Sequence, residues 1–161
     1  MTSPSPLHAP AASNFSGQGA PSRLAWLLGL AGLLPFVAAT ALQWVSPPGW
    51  RMLAAMALLS YGAVIVSFLG GIHWGLAMRL TPPPAARLLW GVLPSLLAWL
   101  ALLLDSPRGH ALLALSLLAC YLVDRGTYRA LGLAAWLPLR ALLTTVATAC
   151  VVLGGVRYGF Y

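Results

Sequence analysis

Apolar residues in this chain fall into long unbroken blocks, over 24–45, 52–78, 88–104, 110–123 and 139–156, parted by short polar or proline-rich breaks. Within a block the apolar positions neither alternate nor keep to one stripe with a charged face opposite. A helix apolar on every side has lipid or protein around it, and about 20 such residues, at about 1.5 Å each, cross a bilayer's hydrocarbon. The pattern predicts an all-α, polytopic membrane protein with five transmembrane helices. Three prolines, Pro82 to Pro84, enforce one break, because proline cannot continue a helix. The first block carries Pro35 near its middle, and Pro94 is expected to kink the third. The fourth block ends early, at Asp124, and needs flanking residues or a locally thinned bilayer to cross. Between Asp124 and Pro138, the spacing of Tyr128, Leu131 and Ala135, with Arg125 and Arg129, predicts a short helix lying in the membrane interface.

Composition agrees with lipid as solvent: 60% of residues are hydrophobic and 7% charged. The net charge of +7 changes the picture only once positions are mapped. Every basic residue is an arginine, placed singly or in pairs at block ends. No basic stripe with interleaved aromatics exists, which argues against a nucleic-acid partner. Arg23, Arg79, Arg87, Arg125, Arg129 and Arg140 fall on one side of the membrane; Arg51, Arg108 and Arg157 fall on the other. The positive-inside rule then puts the amino terminus in the cytoplasm and the carboxyl terminus outside. Residues 1–22 carry no charge and no apolar periodicity and read as a disordered tail ahead of a single domain over 23–161.

Candidate chemistry is sparse. Ala63, Ser67, Gly71 and Gly75 recur every fourth residue, which puts four small side chains on one face of the second helix. Such a face serves packing inside the bundle, a docking seam, or a ligand groove. His73 lies near the end of the same helix, where an imidazole can hold a proton or a metal. Metal binding needs converging ligands; His8 lies in the tail, His110 near the outer interface, Cys120 in the inner half of the fourth span and Cys150 in the outer half of the fifth, and no metal or other cofactor is expected. Asp124 is a lone carboxylate at the hydrocarbon boundary on the side of His73, Arg79, Arg87, Arg125 and Arg140, and should pair with one of them. The predicted polar cluster is therefore His73, Trp74, Arg79, Asp124 and Arg140. It reads as a clasp between helices, or as a proton relay or anionic headgroup site. Asp105 and Asp124 are the only acids and lie on opposite faces, which excludes paired-carboxylate catalysis. No phosphate loop, metalloprotease motif or nucleophile elbow occurs, and an enzyme is not expected.

The run from Tyr61 to Gly75, with Ser67-Phe68-Leu69-Gly70-Gly71-Ile72-His73-Trp74-Gly75 at its centre, resembles the signature of a bacterial family known only as a domain of unknown function. Its mitochondrial relatives go under the name transmembrane protein 69. Asp124, Trp136, Leu139-Arg140 and Leu143-Thr144 resemble that family's second block, with Leu137 standing where a tyrosine is more usual. The resemblance implies a small multi-pass protein of the bacterial inner membrane and supplies no activity. At the level of architecture alone, five spans, seven tryptophans and the Pro47-Pro48-Gly49-Trp50 corner are similar to the tryptophan-rich sensory proteins, which bind porphyrins. Two functional readings follow. The first is a non-catalytic accessory or assembly subunit whose partner, beyond the lipid bilayer, is another membrane protein or a second copy. The alternative is a binding or transport protein for a small amphipathic ligand, with Tyr61, His73, Trp74 and the inner arginines around its pocket.

Overall fold

The computed structural model describes residues 19–158. The expected tail therefore lies outside the described residues over 1–18, His8 included. The described residues form α1 (Arg23–Ala31), α2 (Leu34–Val45), α3 (Pro48–Ala77), α4 (Ala85–Leu103), α5 (Ser106–Ala130), a 3-10 turn (Ala134–Trp136) and α6 (Leu137–Tyr158), with no strand among them. With α1 and α2 taken together, five helical segments are long and apolar enough to cross a membrane, as the block pattern predicts.

Local chemistry sets the boundaries. The Ser22 hydroxyl accepts from the Ala25 amide at 3.2 Å and caps α1. Pro35 has no N–H to give to the preceding turn, and the first span breaks at Gly32–Leu33, with the proline in the first turn of α2. The break leaves the Gly32 carbonyl available, and the Tyr61 hydroxyl of α3 donates to it at 2.9 Å. Phe36 packs edge-on against the same Tyr61 ring, 5.0 Å between centroids. Pro94 is accommodated inside α4 and buried.

The fourth span takes up its flanking residues, one of the two ways open to a block that ends at Asp124. α5 does not stop at Val123 but runs to Ala130, which makes it long enough to cross a membrane, and the helix expected in the interface over 124–138 is not separate from it. Its end is set by a glycine instead of by the first charge. Gly132 sits at φ +72°, in the left-handed region, the Leu133 amide donates to the Tyr128 carbonyl at 2.7 Å, and the Gly132 amide to that of Arg129 at 3.4 Å. This is the Schellman arrangement that closes helices.

Between helices in lipid the hydrophobic effect supplies little drive, and close contact of small residues replaces it. The buried surfaces are accordingly rich in Ala and Gly, around larger side chains such as Phe36, Leu58, Val66, Leu113, Leu117 and Val151. Backbones approach closely where α3 meets α4: a Cβ on Gly70 would stand 2.5 Å from the Gly91 carbonyl oxygen. Gly109 of α5 plays the same part against the Ala101 carbonyl of α4, at 2.4 Å. Leu24, Leu27, Phe68, Leu89, Trp99 and Leu115 point outward, as lipid-facing side chains do.

Candidate functional site: a buried carboxylate clasp

Three helices converge on Asp124. The His73 Nε2 of α3 lies 2.9 Å from its Oδ1, and the Arg140 Nη2 of α6 donates to its Oδ2. The His73 and Asp124 side chains are at most 2% exposed and that of Arg140 is 11%. An ionised carboxylate only accepts, so the nitrogen of His73 that faces it carries the hydrogen. Both oxygens of Asp124 are engaged. A charge taken from water costs several kcal/mol, on the order of what a well-placed counter-charge and full hydrogen bonding return. His73 stands four residues before the end of α3 and Arg140 three after the start of α6, each roughly 5–6 Å in from its helix end at 1.5 Å per residue. The clasp therefore lies about one turn below the same end of the bundle. Trp90 of α4 closes it from the fourth side, edge-on to the His73 ring at 6.4 Å between centroids.

The structure brings together three of the five residues of the predicted cluster. Trp74 follows His73 by one position, about 100° around the helix, and its indole turns to α4, where Nε1 donates to the Leu88 carbonyl at 2.8 Å. Gly91 makes room for that ring. Arg79 lies exposed beyond the end of α3, and neither oxygen of Asp124 goes to it.

The small-residue face also divides. Ala63 is buried in the core and Ser67 half-buried, whereas Gly71 and Gly75 face outward, and no other helix among the described residues comes within 4 Å of a Cβ placed on them. Contacts inside the bundle are made one position away, by Gly62 and Gly70. Among the described residues no three His, Cys, Asp or Glu side chains gather as a metal site. Cys120 and Cys150 are both buried as free thiols.

A second buried polar layer near the opposite end escaped the sequence reading. Gln43 of α2 and His110 of α5 are buried beside Gly154 and Gly155 of α6, and a Cβ on either glycine would collide with a neighbour, Leu58 at 2.4 Å or the His110 Cβ at 2.8 Å. Arg157 lies over the Trp44 ring, 5.4 Å from its centroid, and the Thr40 hydroxyl donates to the Cys150 carbonyl at 3.2 Å. The signal was available: Gln43 is the single amide side chain in the first apolar block.

His73, within the run from Tyr61 to Gly75, and Asp124 and Arg140 of the second block meet in the clasp. The family model described as Protein of unknown function (DUF3429) matches residues 21–156. The chain belongs to this family. Transmembrane protein 69 of Xenopus tropicalis is 47% identical over 79 residues, covering 47% of this chain and 31% of that protein. Transmembrane protein 69 of Mus musculus is 33% identical over 89 residues, covering 53% of this chain and 36% of its own length. The chain thus spans about a third of the length of the curated relatives it matches. No solved structure matches it.

Proposed function

We propose that this member of the family is a non-catalytic accessory or assembly subunit of the bacterial inner membrane, which docks another membrane protein, or a second copy of itself, along the outward face of α3. One observation carries the reading. Ala57, Ser60, Gly71 and Gly75 all point outward at helical spacing, on a stripe shared with Val64 and Phe68. A lipid-facing helix gains nothing from a hydroxyl and two glycines there, whereas a second helix gains a surface it can approach closely. The engagement of both Asp124 oxygens supports a structural clasp in preference to catalysis. The arginine distribution supports an orientation in which the clasp end faces the cytoplasm.

A photo-crosslinking amino acid at Ser60, introduced in native membranes, tests the reading. A discrete protein adduct that is lost with Gly71→Leu or Gly75→Leu, while the protein stays folded, is expected. Adducts to lipid alone would overturn it.

A further inference from the structure

A groove of about 200 Å³, open along one side, runs along the bundle where the α1–α2 break meets α3, α5 and α6. Its polarity is graded. Leu28 and Arg140 line the end nearest the clasp; Phe36, Leu117 and Ala147 line the other. Along α6 the seven residues from Arg140 to Ala147 measure about 10 Å at 1.5 Å each, so the groove reaches well into the hydrocarbon. Arg140 and Thr144 are its polar members; the rest of the lining is apolar or glycine. Neither His73, Trp74 nor Tyr61, expected around a ligand pocket, contributes to it.

Arg140 is under-used by the protein. A guanidinium carries five N–H donors in a fixed fork. One donates to Asp124, and the buried Nε–H has no acceptor. Donors of this kind at one end of a greasy slot match a molecule with acceptor oxygens at its head and a hydrocarbon tail, in the depth order in which a bilayer lipid already lies. Charge selects among lipids. The bundle end that holds the clasp carries six arginines, Arg23, Arg79, Arg87, Arg125, Arg129 and Arg140, against Asp124 alone. The groove mouth also lies in the first turn of α6, the positive end of that helix. Basic pockets between membrane helices favour anionic headgroups.

We infer that this groove is a binding site for one anionic phospholipid of the adjoining leaflet, with an acyl chain between α1–α2 and α6 and headgroup oxygens accepting from Arg140. The site goes beyond the docking role of α3 and does not depend on it. It gives the amphipathic-ligand reading a place and a chemical class.

Native mass spectrometry of the full chain, equilibrated with vesicles of equal parts phosphatidylglycerol and phosphatidylcholine, tests the assignment. One retained phosphatidylglycerol per chain is expected, preferred about fivefold or more over phosphatidylcholine, the ratio one basic contact confers. Leu28→Trp and Leu143→Trp fill the groove from partly exposed positions and leave the Arg140–Asp124 bond alone. Both should abolish retention at unchanged helical content. Arg140→Gln combined with Asp124→Asn, which removes both charges of the clasp together, should lose the headgroup preference. Equal retention of the two lipids by the wild type, with retention still lost in the tryptophan variants, would overturn the anionic assignment and leave an amphiphile site standing. Undiminished phosphatidylglycerol in folded tryptophan variants would overturn the site altogether.

Discussion

Gly70 of α3 and Gly91 of α4 face one another so closely that neither tolerates a methyl group without movement. A Cβ on Gly70 would meet the Gly91 carbonyl at 2.5 Å, and one on Gly91 would meet the Trp74 Cδ1 at 2.0 Å. The first obstacle is backbone, which cannot rotate aside. Gly70→Ala is therefore expected to destabilise the protein by roughly 1–3 kcal/mol, the usual cost of overpacking. Gly71→Ala, one residue on and open on its outer side, should leave stability unchanged or raise it by up to about 1 kcal/mol, the helix-propensity gain of alanine over glycine. Thermal unfolding in detergent compares the two directly. Equal shifts would mean that α3 presents a different face to α4.

Asp124 joins α3, α5 and α6 through two bonds of unequal weight. Asp124→Ala strands the Arg140 guanidinium in a largely dry site and should cost roughly 3–5 kcal/mol. His73→Ala removes one hydrogen bond and leaves the ion pair, at about 1–3 kcal/mol. Asp124→Leu combined with Arg140→Leu takes out both charges and should recover most of the loss. The expected order of melting temperatures is wild type, then His73→Ala and the double leucine variant, then Asp124→Ala. A double variant no better than Asp124→Ala would show that the ion pair does not govern the clasp.

The five spans were legible because the bilayer demands a run of about 20 apolar residues whatever the fold. The partners across helices were less so. Asp124 announces its need for a counter-charge, but six arginines and a histidine stood on its side of the membrane. Choosing Arg140 and His73 requires the rotation of three helices about their axes. The same limit explains the small-residue face. Gly70 and Gly71 are adjacent and identical, and a rotation of about 100° decides which one packs inward. Spacing at four picked the stripe that includes Gly71 and Gly75, whereas the helix turns a neighbouring stripe toward α4. In the fourth span the first charge ends the apolar block but not the helix. A buried, paired carboxylate does not end a helix, and Gly132, eight residues on, carried the stop signal.

That difference has its own measurement. If α5 continues through Asp124 to the glycine cap, the amides from Arg125 to Ala130 are hydrogen-bonded within the helix. They should exchange with deuterium far more slowly than those of the exposed turn over 79–81, ahead of the three prolines. Gly132→Ala strains the left-handed cap and should speed exchange in the last turn of α5 first. Uniformly fast exchange over 125–130 would return this stretch to a loose interfacial segment.

Orientation is decided by where single cysteines can be reached. The native thiols, Cys120 and Cys150, are buried in the bundle, so background labelling should be low. Thr81→Cys places a thiol at the arginine-rich end and Gly49→Cys one at the other, both at exposed positions. In intact cells a membrane-impermeant maleimide should label Gly49→Cys at once, and Thr81→Cys only after permeabilisation, because six arginines against three favour retention of the clasp end in the cytoplasm. The same result fixes the leaflet that serves the Arg140 groove. The cytoplasmic leaflet carries the negative surface potential that draws arginine-rich ends toward it. Reversed labelling would invert the topology and move the lipid site to the opposite leaflet, where the charge argument for an anionic headgroup has to stand on Arg140 and its neighbours alone.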